Sequence, residues 1–306
     1  MRHPLKLAVF LCSFLLIISC QVREGSISLA KMVSEQTNGN FHDYWYQGVA
    51  EVNSYALLQS RYGEVREGDA ILVFVTEDFS KSKQVKLDDS SKVPEDKIST
   101  LKLNSIRKFK TGIYDYSMMQ SVFTPIDLKS FPNTLKTTAS SQDWCGHSFT
   151  QLNLEDKQYR FSQNSYFEQE GDELREIENS ILEDELFTRI RIDPSSIPTG
   201  NVELIPGLFY SRLLHENLKP KQARIRMEKK EAMNLIVEYL HFERTLVIRF
   251  EEEFPHRILS WTETNGKDWS AGGGSKATLK KTIRNAYWSK NKNVYESLRD
   301  TLQLGF

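Results

Sequence analysis

Residues Thr134 to Glu168 carry the strongest local constraint in the chain. Phe149, Leu152 and Leu154 lead into a polar turn at Glu155-Asp156-Lys157, after which Tyr159 and Phe161 alternate with Arg160 and Ser162. Alternation at a period of two on both sides of a short turn predicts a β-hairpin with one apolar face. Trp144-Cys145-Gly146-His147 stands just before it, between two extended runs, and is the chain's one grouping with candidate chemistry. Residues two apart in a regular strand share a face, so Cys145 and His147 are the candidate nucleophile and base of a thiol enzyme. Gly146 between them weakens that geometry, because a glycine in a strand marks a bulge or a close backbone approach. A working thiolate also needs an electropositive, partly exposed setting, whereas Trp144 and Phe149 predict a packed one. The expectation is a structural role for Cys145 and His147, with the thiol enzyme as the alternative.

Extended patterns recur ahead of this hairpin. Val49 to Gln59 permits a strand, Arg61-Tyr62-Gly63 a turn, and Ala70 to Val75 reads as a buried central strand because it is continuously apolar and rich in β-branched residues. Lys81 to Lys97 is a polar excursion. Leu101 to Phe109 and Gly112 to Pro125 return to apolar and aromatic residues, whose commonest use is core packing. After the hairpin the period changes. Leu174, Ile177, Ile181, Leu182, Leu186 and Ile190 recur at three- and four-residue spacing, which predicts an amphipathic helix over Gly171 to Ile192, stopped at Asp193-Pro194. The stretch 193–201 is a candidate boundary. Strands are then expected at Val202–Ile205, Leu208–Leu214, Ala223–Met227, Leu235–Phe242, Thr245–Phe250 and Ile258–Thr262. The series Leu279, Ile283, Tyr287 and Val294, Leu298, Leu302 predict two short helices. With many strands before the first helical period, the fold class is α+β and β-rich. It is a curved, largely antiparallel sheet, an open half-barrel or sandwich-like, with one central amphipathic helix and C-terminal helices.

At the N-terminus, Arg2 and Lys6 precede an apolar run, Leu7 to Ile18, that is short for a membrane span and ordered like a secretory signal. It ends in Ile17-Ile18-Ser19-Cys20, which resembles a bacterial lipobox, so residues 1–19 are expected to be cleaved and Cys20 lipidated. Residues 20–40 read as a tether and 41–306 as the β-rich body. Acylation places the protein in the cell envelope, held to a membrane through its lipid. Gln21 in place of the Asp that favours inner-membrane retention points to the outer membrane. Losing residues 1–19 removes Arg2 and Lys6 and no acid, so the 40 bases and 41 acids of the whole chain become 38 and 41, net −3. That balance argues against nucleic acid as a partner. Cys12 leaves with the signal and Cys20 is acylated, so Cys145 has no internal partner and no disulfide framework is expected.

Other chemistry is thinly marked. His42, His147, His215, His241 and His256 include no helical zinc pair, and no G-x-S-x-G elbow occurs. Gly272-Gly273-Gly274-Ser275-Lys276 lacks the Walker spacing and reads as a connector. Glu183-Asp184-Glu185 and Glu251-Glu252-Glu253 are acidic enough for a cation, yet such triplets are more often surface charge. No cofactor or metal site is expected.

Tyr44-Trp45-Tyr46-Gln47-Gly48, Phe74-Val75-Thr76-Glu77-Asp78-Phe79-Ser80, Trp144-Cys145-Gly146-His147 and Asp193-Pro194-Ser195-Ser196 resemble phrases of an uncharacterised family of bacterial envelope lipoproteins. Members carry the label septum formation inhibitor Maf, and the similarity covers nearly the whole mature chain. The Ser-x-Ser-x-Arg-Arg signature of the cytosolic nucleotide pyrophosphatases of that name is absent, so the resemblance implies an envelope location without a mechanism. The expected function is a non-enzymatic envelope module that binds a lipid, glycan or protein partner.

Overall fold

The computed structural model describes residues 40–266 and 273–305. The expected signal peptide, Cys20 and the expected tether up to residue 39 lie outside the described residues. The chain divides into two compact units, Met1–Tyr44 and Trp45–Phe306. The described part of the first, 40–44, is helical.

The second unit is built on fifteen strands among the described residues: β1 (Ala50–Arg61), β2 (Glu64–Ser80), β3 (Lys97–Thr111), β4 (Tyr114–Pro125), β5 (Lys136–Gln142), β6 (His147–Glu155), β7 (Gln158–Ser165), β8 (Glu173–Glu178), β9 (Ile181–Leu182), β10 (Gly200–Ile205), β11 (Lys221–Lys229), β12 (Met233–Tyr239), β13 (Arg244–Phe250), β14 (Ile258–Asn265) and β15 (Gly274–Asn285). Three α-helices accompany them: α1 (Leu186–Ile192), α2 (Leu208–Leu214) and α3 (Leu298–Thr301). All strands join one sheet in the order β8-β7-β6-β5-β4-β3-β2-β1-β15-β14-β13-β12-β11-β10-β9. Every pairing is antiparallel except β9 with β10. Strands from both sides of 193–201 share this sheet. The β-rich, mostly antiparallel architecture is the one the sequence predicts.

The sheet is strongly curved. β3 and β14 stand four strand spacings apart, which in a flat sheet would separate their backbones by roughly 19 Å. Yet Arg107 on β3 donates to Glu263 on β14 at 2.6 Å. The two edges of the sheet also meet in the chain, because only Asn179 and Ser180 separate β8 from β9. The curved sheet stays unclosed, and residues 183–192 and 207–213 fill its inner face: Leu186, Ile190, Leu208 and Phe209 are buried there with Leu72, Leu103 and Trp261. On the outer face Ala50, Val52 and Val73 pack with Leu302, so the C-terminal segment covers the middle of the sheet.

The β6–β7 hairpin forms as expected, with Leu152 opposite Phe161 and Leu154 opposite Tyr159. Asp156 and Lys157 both take positive φ, 45° and 72°, the type I′ geometry whose twist matches the flanking strands. Ala70–Val75 lies inside β2, between β1 and β3.

Three segments differ from expectation. The region read as one helix over 171–192 is an edge strand, β8, then β9 and the short α1. β8 carries Glu173, Arg175, Glu176 and Glu178, and charge on an edge strand discourages pairing with another chain. Read along the sequence, that charge looks like a helix's solvent face. Leu208–Leu214, expected as a strand, is helix α2. The series Leu279, Ile283, Tyr287, expected as a helix, belongs largely to β15. Its register shifts where Ser54 pairs with Lys281 and Tyr55 with Leu279, leaving Lys280 as the extra residue. This irregularity puts Leu279 beside Tyr55 and Ile283 beside Val52, on opposite faces, and so produces a four-residue spacing without a helix.

Candidate binding site

The turn holding Cys145 and His147 does not assemble a catalytic pair. Cys145 lies at the tip of the four-residue connection between β5 and β6, while His147 opens β6 opposite Gln142. The strand geometry that would set the two side by side therefore does not apply. The surroundings also differ from the packed setting expected: Trp144 and Phe149 are exposed, as is Cys145. The Asp143 carboxylate, which accepts the Cys145 amide at 2.7 Å, raises the thiol above its ordinary value and disfavours the thiolate.

The acidic triplet Glu183-Asp184-Glu185, expected on the surface, is inside, and each member has its own task. Glu183 accepts from Tyr239 Oη at 2.7 Å and from the Arg244 guanidinium. Glu185 pairs with Arg189 at 2.8 Å and receives the Thr134 amide at 3.2 Å. Asp184 accepts the Leu208 amide at 3.1 Å, supplying from 24 residues away the cap that Gly207 cannot provide for α2. A side chain at 207 would come within 2.8 Å of Glu183 and 2.9 Å of Asp184, which is why glycine stands there. Burial pushes the Asp184 carboxyl up to about 7, with Glu183 adding to that push against Gln120, the Leu208 amide and Arg244. Arg107 and Arg244 meanwhile outweigh burial at Glu263 and hold it low. Part of Asp184 faces a recess of about 20 Å³, room for one water, bordered by the inward-facing Trp261 and Arg107. This interior organises the fold, and it is too small for a ligand.

One set of exposed features lies together at one end of the sheet. In the up-and-down order of β1 to β8, the β1–β2, β3–β4, β5–β6 and β7–β8 turns fall on the same rim. Each presents a large apolar side chain: Tyr62 is 59% exposed, Ile113 82%, Trp144 71% and Tyr166 73%. Tyr62 and Gly63 both have positive φ, a type I′ turn. Gly112 supplies the single positive φ of a type II′ turn, so Ile113 sits at its tip with nothing to pack on. Turn tips are ordinarily small or polar, and a row of four large apolar tips is an exposed patch that calls for a partner.

Ring contacts form a ribbon of two runs along this rim, with Gly146 between them. Tyr62 Oη and Tyr116 Oη are 2.8 Å apart, and Arg61 lies 4.4 Å from the Tyr62 ring centroid. Tyr114 follows, 6.0 Å from Tyr116 and 6.5 Å from Trp144 between centroids. Gly146 lies so close to Tyr166 that a Cβ would stand 2.7 Å from its ring. Tyr166 reaches Phe167 at 5.7 Å and Phe167 reaches His215 at 6.2 Å. His215, in the left-handed conformation that ends α2, then borders a polar cleft of about 130 Å³ between β6–β8 and residues 211–218. Glu170 ties the cleft together, accepting from Arg212 at 3.1 Å and lying 2.6 Å from His215 Nδ1. Arg175 is matched by Glu173 at 2.7 Å. Arg212 Nε is buried without a partner.

The sequence singles out Trp144 within this ribbon and misses Tyr62, Ile113 and Tyr166 as a group, because their common rim follows from strand order. Among the described residues no group of three or more His, Cys, Asp or Glu is arranged to hold a metal ion. No family model, curated protein or solved structure matches the chain.

Proposed function

We propose that the protein is a lipid-anchored module of the bacterial cell envelope that works by binding a partner rather than by catalysis. The observation carrying this reading is the rim. Four successive turns spend exposed Tyr, Ile and Trp side chains where polar residues would serve the fold equally well, and their ribbon ends at a cleft rich in hydrogen-bonding groups. Trp and Tyr combine a large apolar body with a polar handle, the chemistry that recurs at binding surfaces. The anchor rests on the lipobox ending at Cys20 and on the resemblance to envelope lipoproteins, with the outer membrane as the site. The thiol-enzyme reading loses support from Asp143, which disfavours the thiolate it needs. Membrane fractionation with labelled palmitate tests the anchored reading. Wild type is expected in the membrane fraction carrying label, and Cys20→Ser in the soluble fraction without it. Equal labelling of the two proteins contradicts the reading.

A further inference from the structure

We infer that the aromatic ribbon and the cleft at its end form one extended site for an uncharged glycan chain of the cell wall, the cleft holding one sugar and the ribbon its neighbours. The inference rests on the anchored-module reading for the source of the glycan, and on geometry for its chemistry.

A pyranose is amphipathic, with apolar C–H faces and a rim of hydroxyls. A binding surface for a chain of them needs flat apolar platforms in succession and a place dense in donors and acceptors. The rim supplies both, with exposed Tyr62 and Trp144 on one run of rings and Tyr166 on a second that ends at His215 and the cleft. The cleft's charge argues in the same direction. Its two guanidiniums are matched, Arg212 by Glu170 and Arg175 by Glu173, so the lining offers no unmatched arginine to a phosphate or sulfate. What it does offer is neutral hydrogen bonding from Thr150, Gln163 and Asn217. A volume of about 130 Å³ suits one sugar residue rather than a folded segment. A peptide partner would use a free strand edge or an apolar groove, and the rim is made of turn tips.

The direction of the chain selects the source. β1 runs twelve residues from Ala50 to Arg61, about 40 Å, and ends at the rim beside Tyr62. The chain thus enters the sheet at the end opposite the ribbon. On the anchored-module reading this leaves the ribbon, at the far end of the sheet from that entry point, to a polymer of the envelope rather than to the headgroups of the anchoring leaflet.

The test titrates the full chain, in a detergent without a sugar headgroup, with uncharged oligomers of β-1,4-linked N-acetylglucosamine, because cell-wall strands stripped of their peptides carry a free lactyl carboxylate on each muramic acid. Exposed Trp144 serves as the fluorescent reporter, and sedimentation with intact sacculi as a second reading. Wild type is expected to bind, and Tyr166→Ala and Gln163→Ala each to weaken binding about tenfold or more with an unchanged melting temperature, because both side chains lie outside the core. Trp144→Ala is read by sedimentation alone, with the same expectation. A failure of wild type to bind, binding indifferent to all three variants, or variant-sensitive binding to phosphatidylethanolamine–phosphatidylglycerol vesicles in place of glycan each overturns the inference. None of these outcomes alters where Cys20→Ser fractionates, so the anchored reading stands or falls separately.

Discussion

Arg191 on α1 grips Glu51 on β1 with two parallel hydrogen bonds, 2.6 Å from Nη1 and 2.7 Å from Nη2, and both side chains are shut off from solvent. The guanidinium also lies 5.0 Å from the Trp45 ring centroid and 4.8 Å from that of Phe74, and Asn53 donates to the same carboxylate at 2.8 Å. This contact spans 140 positions of sequence and fixes the inner helix to the middle of the sheet. Removing one partner strands the other as a buried charge. Arg191→Met or Glu51→Leu alone is therefore expected to lower unfolding free energy by about 3–5 kcal/mol, and the double substitution to recover most of the loss. Chemical denaturation of the four proteins of this cycle measures it, and additive losses would contradict the pairing.

Asp184 gives the protein a pH dependence of unusual sign. Its folded pKa of about 7 lies above the value near 4 of an unfolded aspartate. Between the two the folded state binds more protons, so this group's contribution to stability falls as pH rises from about 4 through 7 and then levels off. Asp184→Asn keeps a neutral acceptor for the Leu208 amide and removes the titration. The difference in unfolding free energy between variant and wild type is expected to grow in the variant's favour, by on the order of 2–4 kcal/mol, from pH 4 to pH 8. A difference that stays flat with pH would show that Asp184 is ionised throughout.

How much of this was legible in the sequence varies by segment. The β6–β7 hairpin and the central strand at Ala70–Val75 were, because alternation, β-branching and turn residues all point one way there. Leu208–Leu214 was not. Its continuous apolar run suits a buried strand or a buried helix alike, and the group that decides, the Asp184 carboxylate on the Leu208 amide, is 24 residues away. Glu183 and Glu185 read as surface for a related reason. The partners that make their burial tolerable, Arg244 and Tyr239 for one and the Thr134 amide for the other, are distant in sequence and close only once the sheet curves. The binding rim shares this character, since Tyr62, Ile113, Trp144 and Tyr166 become neighbours through strand order.

Cys145 should behave as an inert surface thiol. Alkylation by iodoacetamide, followed against pH, is expected to have its midpoint above that of a free cysteine, and Asp143→Asn to bring it down, because the carboxylate is the largest cause of the shift. Cys145→Ser should leave the melting temperature where it is, the side chain having no packing to lose. A midpoint below that of free cysteine would revive the thiol as a nucleophile.

Complementation of a deletion strain tests most directly whether the protein works through its rim or through its thiol. Full-length wild type, Cys145→Ser, His147→Ala and the double variant Trp144→Ala/Tyr166→Ala are expressed at matched levels, and the folding of each is checked by its melting temperature. The account predicts that Cys145→Ser and His147→Ala restore the wild-type envelope and that the folded double rim variant does not. Restoration by the rim variant, with failure of folded Cys145→Ser and His147→Ala, would contradict it.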